Sequence, residues 1–243
     1  MSQWIRAGLR TGIKTTAYPA APETAPGVSP GLPVGGPHPR DEIAGLIARC
    51  PTGAISAGDA GAVVDARRCV HSYRCRRGVA TPLEWAQGYE WAIRGPTDDP
   101  RRRLGPAFRR SAHVIVVDAG DCGACLNEVK QLAGPYYNMH RLGLFLTPTP
   151  RHADVLLVVG PVTDHMRVAL LKTWEAMPTP KRVLAVGTCA LSGGVFGPSF
   201  VAEGGVASVL PVDVEVPGQP PPPLAILHGL LTAVGRAPAG VGR

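Results

Sequence analysis

The stretch Asp118-Ala-Gly-Asp-Cys122-Gly-Ala-Cys125-Leu-Asn-Glu128 decides the fold that this sequence predicts. It follows an apolar run, Ala112 to Val117, which is typical of a strand buried on both faces of a parallel sheet. Two thiols separated by two residues, on a glycine-rich turn after such a strand, form a ready clamp for a metal. The sequence therefore predicts a strand that ends in a metal-binding turn.

Further apolar runs in the C-terminal half also end in turns. They are Asp154 to Gly160, followed by Pro161-Val-Thr-Asp164; Arg182 to Gly187, followed by Thr188-Cys-Ala190; and Ser208 to Val216, followed by Pro217-Gly-Gln-Pro220. Strands that alternate with helices form parallel sheets, and ligands lie beyond the carboxyl ends of the strands. We therefore expect Cys122, Cys125, Cys189 and Gln219 to meet at one edge of a doubly wound α/β sheet.

A series of short blocks carries a resemblance to a known family. The blocks are Asn138-Met-His-Arg-Leu-Gly143, Pro150-Arg-His-Ala-Asp154, Gly160-Pro-Val-Thr-Asp164, Ala176-Met-Pro-Thr-Pro180, Gly187-Thr-Cys-Ala190 and Val212-Asp-Val-Glu-Val-Pro-Gly218. In this order, from Ala112 to about Ala233, the chain resembles the family that joins the small subunits of membrane-bound NiFe hydrogenases with the complex I subunit carrying the terminal iron–sulfur cluster. The resemblance implies a flavodoxin-like fold and a 4Fe–4S cluster held by four cysteines.

Three of the four implied ligands match, at Cys122, Cys125 and Cys189. The family's Pro-Gly-Cys-Pro is Pro217-Gly-Gln219-Pro220 here, and a neutral amide is a weaker iron ligand than a thiolate. The site is therefore compatible with a 3Fe–4S cluster, with a 4Fe–4S cluster that binds water or the amide oxygen, or with no cluster.

The complex I subunit has adjacent cysteines where this chain has Cys122 and Cys125. The two-residue spacing is that of the hydrogenase-type relatives, which favours the hydrogenase branch.

Other polar residues near these cysteines are weaker candidates. Glu128 matches a carboxylate of the family, which implies a role in proton transfer towards the partner's active site; a surface or salt-bridged glutamate is the other interpretation. His140 and Arg141 are expected near the cluster or at a partner interface, or as structural residues. Asp118 and Asp121 are expected to cap the turn or to hydrogen-bond within it rather than to ligate.

A second group of cysteines lies in the N-terminal half. A helix expected over Asp41 to Arg49 leads to Cys50-Pro51, and a two-strand turn over Ser56 to Val64 leads to Cys69-Val-His71-Ser72-Tyr-Arg-Cys75. This pattern resembles half of a bacterial ferredoxin, in which a Cys-Pro joins a Cys-x2-Cys-x2-Cys run around one cubane. Ser72 occupies the place of the middle cysteine.

Cys50, Cys69 and Cys75, with Ser72 or His71 at the fourth position, are therefore candidate ligands of a second iron–sulfur cluster of the 4Fe–4S or 3Fe–4S type. A Cys3His zinc site that uses His71 is an alternative interpretation. A remnant fold whose cysteines bind nothing is the third.

We expect an extended arm over residues 1–39, a half-ferredoxin-like segment over 40–95, a linker over 96–110, a flavodoxin-like α/β domain over 111–236 and a tail over 237–243. The arm is rich in proline and glycine, which argues against regular structure. Helices are expected over Thr81 to Arg94, over Asp164 to Met177 before Pro178, and over Pro221 to Val234.

Composition limits the classes of function. No run of eighteen apolar residues occurs and the N-terminus lacks the apolar core of an export signal, so we expect a cytoplasmic protein. In a reducing compartment its six cysteines favour metal binding over disulfides. The net charge of +7 suits nucleic acid, acidic lipid or an acidic protein partner, and Arg101 to Arg103 with Arg109 and Arg110 form either a solvated face or a docking site. No phosphate-binding loop is present, and we expect no nucleic-acid partner.

These observations predict an electron-transfer iron–sulfur subunit of a multi-subunit hydrogenase-like or NADH:quinone oxidoreductase-like complex, without a complete active site of its own. The resemblance implies a hydrogenase-like large subunit, other membrane-complex subunits and a ferredoxin-like electron donor or acceptor as partners. It also implies a peripheral place on the inner face of the cell membrane. The alternatives are a structural subunit with a degenerate cluster site, and a quinone-reducing, complex I-like subunit.

Overall fold

The computed structural model describes residues 2–237 and residue 240. The helices are α1 (Gln3–Thr11), α2 (Arg40–Arg49), α3 (Ala124–Gln131), α4 (Asp164–Ala176), α5 (Thr188–Ser192) and α6 (Pro223–Ala233). The strands are β1 (Leu32–Pro33), β2 (Ile55–Gly58), β3 (Gly61–Val64), β4 (Trp85–Ala86), β5 (Ile93–Arg94), β6 (Ala112–Asp118), β7 (Leu144–Leu146), β8 (Val155–Val159), β9 (Arg182–Val186) and β10 (Val214–Val216). Most of the expected tail, residues 237–243, lies outside the described residues.

The main sheet has six strands in the order β5-β10-β9-β8-β6-β7. The strands from β6 to β10 pair in parallel, and β5 adds an antiparallel edge beside β10. The order of the five parallel strands is the flavodoxin-like order, with β6 flanked by β7 and β8. The predicted parallel α/β sheet is therefore confirmed.

Helices cover both faces of this sheet. Alternate residues of β8 point to opposite sides: Val155, Leu157 and Val159 belong to one apolar core, and Leu156 and Val158 belong to the other. The first core is closed by α3 and α6, and the second by α4 and α5. The sheet is thus doubly wound. Because helices cover both of its faces, a polar ligand reaches the backbone of the sheet at the strand ends.

The C-terminal helices follow the sequence prediction closely. α4 begins at Asp164 and ends at Ala176, just before Pro178, and Leu170 on its apolar face is fully buried. α6 begins with Pro223 in its first turn, where a missing N–H group is harmless, and ends at Ala233 before Gly235. Both helices lie within about two residues of the predicted bounds.

The N-terminal segment forms a small core of its own. α2 packs against the hairpin of β2 and β3, and Ile43, Leu46 and Leu83 are among the residues that close this core. The helix and the two-strand turn that the sequence predicts are therefore confirmed.

The helix expected over Thr81 to Arg94 is wrong. This stretch contains β4, which pairs with β1, and β5, which extends the main sheet beside β10. Leu83 is buried in the small core, whereas Tyr89 and Ala92 are buried in the large one. A single helical stripe cannot face two separate cores, so tertiary packing overrides the local helical pattern.

The arm over residues 1–39 is not extended throughout, because Gln3–Thr11 forms α1. This stretch has no proline, whereas prolines recur from Pro19 onwards and prevent a longer helix. No residue of α1 is buried. Tyr18, in contrast, is 2% exposed and packs edge-on against Tyr89 in the large core, so the arm is tied down beyond its helix.

Residues 96–110 are bound to the sheet by buried ion pairs. Arg102 lies 2.7 Å from Asp213, and Arg182 lies 2.8 Å from Asp98. The other oxygen of Asp213 accepts a hydrogen bond from the backbone N–H of Val183 at 2.7 Å. The expected linker is thus fixed to β9 and β10; the domain boundaries themselves stay a prediction. Of the helices in the described part of the chain, none is long and apolar enough to cross a membrane.

Candidate metal centre

The turn after β6 is shaped by two aspartates. Asp118 Oδ1 and Asp121 Oδ2 accept hydrogen bonds of 2.7 to 3.0 Å from four backbone N–H groups, those of Gly120, Asp121, Gly123 and Leu126. The aspartates therefore hydrogen-bond within the turn, as their positions in the sequence predict. The turn leaves Cys122 exposed at its tip and buries Cys125 in the first turn of α3.

The turn after β9 brings a third thiol to the same edge. Gly187 follows β9 with φ +89°, and a Cβ atom at this position would overlap Cys125 Sγ. A glycine is therefore required for the Cys125 thiol to reach the backbone between β9 and α5. Two residues later Cys189 is buried in α5, so the backbone that Cys125 Sγ contacts leads directly to Cys189.

Gln219 reaches this site from the end of β10. Its side-chain Nε2 donates to Cys189 Sγ at 3.4 Å, and its Oε1 lies 3.7 Å from the same sulfur. The side chain thus occupies the position that the family resemblance assigns to a fourth ligand. The structure brings Cys122, Cys125, Cys189 and Gln219 together at the carboxyl ends of β6, β9 and β10.

Burial controls the protonation of these thiols. It raises the pKa of Cys125 far above the ordinary thiol value, and the nearby Asp121, Cys189 and Cys122 raise it further. Burial also raises the pKa of Cys189, against a smaller opposite effect of the Gln219 hydrogen bond. Both groups are therefore neutral thiols at pH 7 in the absence of a metal. Binding of a metal would release their protons, because thiolates are the ligating form.

The donor set fits an iron–sulfur cluster better than a single ion. Within the described ranges, no three His, Cys, Asp or Glu side chains converge closely enough to hold one metal ion. In a cluster each thiolate binds a different iron, so the ligands stand further apart than they do around zinc. Three soft sulfur donors on glycine-rich turns match that requirement.

Glu128, His140 and Arg141 are placed differently from one another. Glu128 lies on α3 one turn after Cys125, and partial burial raises its pKa above the ordinary value. The exposed ring of His140 packs against Phe145, with 5.6 Å between ring centroids. The guanidinium of Arg141 donates to the backbone oxygen of Tyr18. Of these three, Glu128 is the one whose charge acts on a cysteine of the site.

The N-terminal cysteines line one cavity. The wall of this cavity includes Cys50, Cys69, Ser72 and Cys75, and the cavity volume is about 20 Å³. The backbone N–H of Ala54 donates to Cys50 Sγ at 3.2 Å. Burial raises the pKa of Cys69 to about 11, with smaller effects of Cys75 and Cys50 in the same direction. The expected group of three cysteines and a serine is therefore assembled around a common space.

His71 turns away from that cavity towards the other site. Its Nδ1 accepts a hydrogen bond from the backbone N–H of Gln219 at 3.4 Å. Among the described residues the cavity wall does not include His71, which disfavours His71 as the fourth ligand of a zinc site there.

Sequence reasoning missed the contact between the two groups of cysteines. Thr188 Oγ1 donates to the backbone oxygen of Cys69 at 2.8 Å, and Ser192 Oγ donates to that of Arg67 at 2.9 Å. No local pattern in the sequence indicates these bonds, because their partners lie 119 and 125 positions apart.

The C-terminal half of the chain matches known proteins. Residues 122–233 match the family model described as NADH ubiquinone oxidoreductase, 20 Kd subunit. Over 125 residues the chain is 42% identical to the probable membrane-bound hydrogenase subunit mbhJ of Pyrococcus furiosus, covering 51% of this chain and 75% of that protein. Over 108 residues it is 44% identical to an NADH-quinone oxidoreductase subunit of Carboxydothermus hydrogenoformans, covering 44% of this chain and 65% of that protein.

Another relative is longer than the matched region. Formate hydrogenlyase subunit 7 of Escherichia coli is 42% identical over 128 residues, which cover 53% of this chain and 50% of that protein. The chain thus spans half the length of this relative. The family model begins at Cys122, so the N-terminal cysteines lie outside the matched residues.

Proposed function

The chain belongs to the family of the NADH ubiquinone oxidoreductase 20 Kd subunit, and from this membership we propose that it is an electron-transfer iron–sulfur subunit of a hydrogenase-like complex. Its relatives are subunits of multi-subunit oxidoreductases, namely hydrogenases and NADH-quinone oxidoreductases. In this proposal the substrate chemistry takes place in a large partner subunit, and this chain carries electrons to or from it.

The observation that carries the proposal is the meeting of four side chains at one sheet edge. Cys125 Sγ lies against the Gly187 backbone, Cys189 follows Gly187 by two residues, and the amide nitrogen of Gln219 lies 3.4 Å from Cys189 Sγ. Cys122 stands exposed on the turn that also holds Cys125. These residues would hold the cluster, with Gln219 at the fourth position. Such a cluster supplies one-electron transfer at a potential set by its ligands, hydrogen bonds and exposure.

Gln219 affects the redox potential that we expect for the site. A neutral amide in place of a thiolate makes the ligand set less negative, which favours the reduced state and raises the potential. Its Nε2–H group also donates to Cys189 Sγ, and hydrogen bonds to a ligand sulfur act in the same direction. We infer a 3Fe–4S or 4Fe–4S centre with a higher potential than a four-thiolate centre would have on the same backbone.

Glu128 is proposed to assist proton movement near the partner's active site. It lies one helical turn from Cys125, and burial raises its pKa above the ordinary value of a carboxyl group, which is the direction that suits a general acid or base. Glu128→Gln is expected to lower turnover of the complex while leaving the iron content unchanged. Unchanged turnover would remove Glu128 from the proposal.

The partner surface is proposed to include the loop after α5. Val195, Phe196, Phe200 and Val201 in this loop are 48–92% exposed, and we call them the apolar patch. A Cβ atom at Gly194 would lie 2.8 Å from Cys189 Sγ, so the loop begins beside the site. A large subunit that covers the apolar patch would also shield Cys122 from solvent. Through such partners the chain would be peripheral at the inner face of the cell membrane.

Two alternatives make different predictions. Gln219 at a ligand position favours a structural subunit that keeps the fold without a working cluster. The similarity to an NADH-quinone oxidoreductase subunit favours a quinone-reducing function. The structural alternative predicts that Cys189→Ala changes neither the assembly nor the activity of the complex. The quinone-reducing alternative predicts that the complex reduces a quinone and neither evolves nor takes up hydrogen.

The proposal is tested by anaerobic reconstitution of the parent chain and of Cys189→Ala with iron and sulfide. We expect the parent to gain an EPR signal, and Cys189→Ala to lose the part of that signal that arises from this site. Far-UV circular dichroism of both proteins shows whether the variant keeps the fold. Identical spectra and iron contents in two folded proteins would contradict the proposal.

A further inference from the structure

The N-terminal cysteine segment is bound to the metal edge of the sheet by several polar contacts. Its residues 67–71 meet α5 and the end of β10, through the Thr188–Cys69 and Ser192–Arg67 hydrogen bonds and the contact of His71 Nδ1 with the Gln219 N–H group. Arg67 also forms a 2.6 Å ion pair with Glu215 of β10. The segment therefore touches elements that carry both Cys189 and Gln219.

These contacts are partly buried, which distinguishes them from a loose surface contact. Thr188 is fully buried and Glu215 is 3% exposed. A buried carboxylate or hydroxyl group without a partner is costly, so residues 67–71 stabilise the sheet edge by their presence there. The position of Cys69 relative to Cys189 is thus fixed by the fold.

Cys50, Cys69, Cys75 and Ser72 have the features of a ligand set of their own. They line one cavity, and a backbone N–H group already donates to the Cys50 sulfur, as such groups do to the sulfurs of clusters. Much of the remaining wall is apolar, with Ile55, Val64 and Leu83 among its residues. Three thiols and one hydroxyl group line this space, and soft sulfur donors are the ligands that iron–sulfur clusters take.

We propose that Cys50, Cys69, Cys75 and Ser72 form a second iron–sulfur site, and that the contacts of residues 67–71 make it the redox neighbour of the site at Cys122, Cys125 and Cys189. Few bonds separate the two sites. The carbonyl oxygen of Cys69 accepts a hydrogen bond from the hydroxyl group of Thr188, and Thr188 directly precedes Cys189 in the chain. The second part of this inference rests on the proposed function, because it needs a cluster at the first site.

His71 supports the same arrangement. Its φ of +50° lies in a region that residues other than glycine rarely adopt, and such backbone strain concentrates at functional sites. Because Nδ1 accepts from Gln219, the proton of the neutral ring is on Nε2, a buried atom without a hydrogen-bond partner among the described residues. The backbone between Cys69 and Ser72 is thus bent so that one side chain reaches Gln219 while its neighbours line the cavity.

The proposed transfer moves one electron at a time. One site is oxidised as the other is reduced, no bond between heavy atoms forms or breaks, and no proton is required. The electrons enter the N-terminal site from a reduced iron–sulfur protein, or from dithionite in the experiment, and leave through the first site to the large subunit. Electron flow in the opposite direction uses the same contacts.

A gain of ligand tests the N-terminal site by itself. Ser72→Cys places a fourth thiol in the cavity wall, whereas Ser56→Cys adds a thiol at an exposed position on β2. After anaerobic reconstitution of the full chain, Ser72→Cys is expected to retain more iron during gel filtration and to lower the potential of one centre. Ser56→Cys is expected to behave as the parent. Equal behaviour of the two variants, or zinc in place of iron, would overturn the second site.

Loss of ligands tests the coupling between the sites. The double variant Cys50→Ala/Cys75→Ala is expected to lose about half of the bound iron, since each site holds one cluster. In the dithionite-reduced parent with a 4Fe–4S cluster at each site, EPR is expected to show broadening from two interacting spins. This broadening should disappear both in the double variant and in Cys189→Ala, which each leave one simple signal.

The outcomes separate this inference from the proposed function. If the double variant keeps all of the parent's iron, the second site is wrong while the first stands. If Cys189→Ala keeps all the iron and the double variant loses it, the proposed function is wrong, and the coupling is wrong with it. Two clusters whose signals are simply additive would leave both sites in place and overturn their redox contact.

Discussion

At the residue scale, the site depends on one amide and one glycine. Gln219 occupies the fourth position beside Cys189, and Gly187 leaves room for the Cys125 sulfur. The cysteines and Gln219 were predictable from sequence because each closely follows an apolar strand, and strand ends meet at one edge. The contacts of Thr188 with Cys69 and of His71 with Gln219 were not predictable, because they join distant segments without a local pattern.

Gln219→Cys is the first prediction at this scale. The variant completes a four-thiolate ligand set, and the added negative charge stabilises the oxidised cluster, so the midpoint potential is expected to fall. Potentiometric EPR measures this shift. Gln131→Cys, the same substitution at an exposed glutamine on α3, is the control and is expected to leave the potential unchanged. An unchanged or higher potential in Gln219→Cys would contradict the assignment of the fourth position.

Gly187→Ala is the second prediction. The new methyl group would overlap Cys125 Sγ, and the backbone would keep a φ of +89° that alanine tolerates poorly. We expect loss of the first cluster together with destabilisation of more than about 2 kcal/mol, the upper range of left-handed strain alone. Gly88→Ala, at φ +115° with open space around its Cβ position, is the matched control, in which only the strain is expected. Iron analysis and urea denaturation distinguish the two effects; equal losses in both variants would refute the steric argument.

At the element scale, apolar strands and prolines made most of the C-terminal half predictable. β6, β8 and β9 are largely apolar runs, and α4 and α6 have clear proline signals at their ends. The failure over Thr81 to Arg94 has a physical cause, because its apolar residues serve two cores and its last residues extend the sheet as β5. β7, with three residues, is too short to give a periodic pattern of its own.

The attachment of residues 96–110 to the sheet gives the third prediction. Asp213 is fully buried between Arg102 and Arg182 and also accepts from the Val183 N–H group. Asp213→Asn removes the charge that compensates two arginines, one of them with a side chain that is 5% exposed. We expect a loss of about 3–5 kcal/mol in the free energy of unfolding, as for other buried ion pairs that lose one partner.

The control for this change is Asp99→Asn. Asp99 pairs with Arg101, whose side chain is 90% exposed, so we expect a much smaller loss than at Asp213, as for other surface ion pairs. Urea denaturation followed by circular dichroism measures both variants. Similar small losses at the two positions would show that the buried ion pairs do not hold residues 96–110 to β9 and β10.

At the scale of the whole molecule, the loop that carries the apolar patch begins beside Cys189. Phe200 in this loop is 92% exposed. Such a surface is typical of a protein that binds a partner there. In the proposed function, electrons leave the chain at the place that the partner covers.

Phe196→Ser/Phe200→Ser is the fourth prediction. Removal of two exposed aromatic anchors is expected to reduce aggregation of the isolated chain and to weaken its affinity for the large subunit about tenfold or more, since aromatic residues dominate interface energies. Val168→Ser, at a 63% exposed position on α4, is the control and is expected to change neither property. Size-exclusion chromatography and co-purification measure the two effects. Unchanged capture of the large subunit with the double variant would move the interface away from the apolar patch.

Iron and acid-labile sulfide analysis of the chain, after anaerobic co-purification with its large subunit, tests the electron-transfer function most directly. We expect iron and sulfide in equal or nearly equal amounts, with the share of one cluster lost when Cys122 and Cys189 are both replaced with alanine. The complex should still assemble, because the apolar patch and the ion pairs of β9 and β10 are unchanged. A parent chain without iron or sulfide, or a double variant with the full amount, would contradict the electron-transfer function.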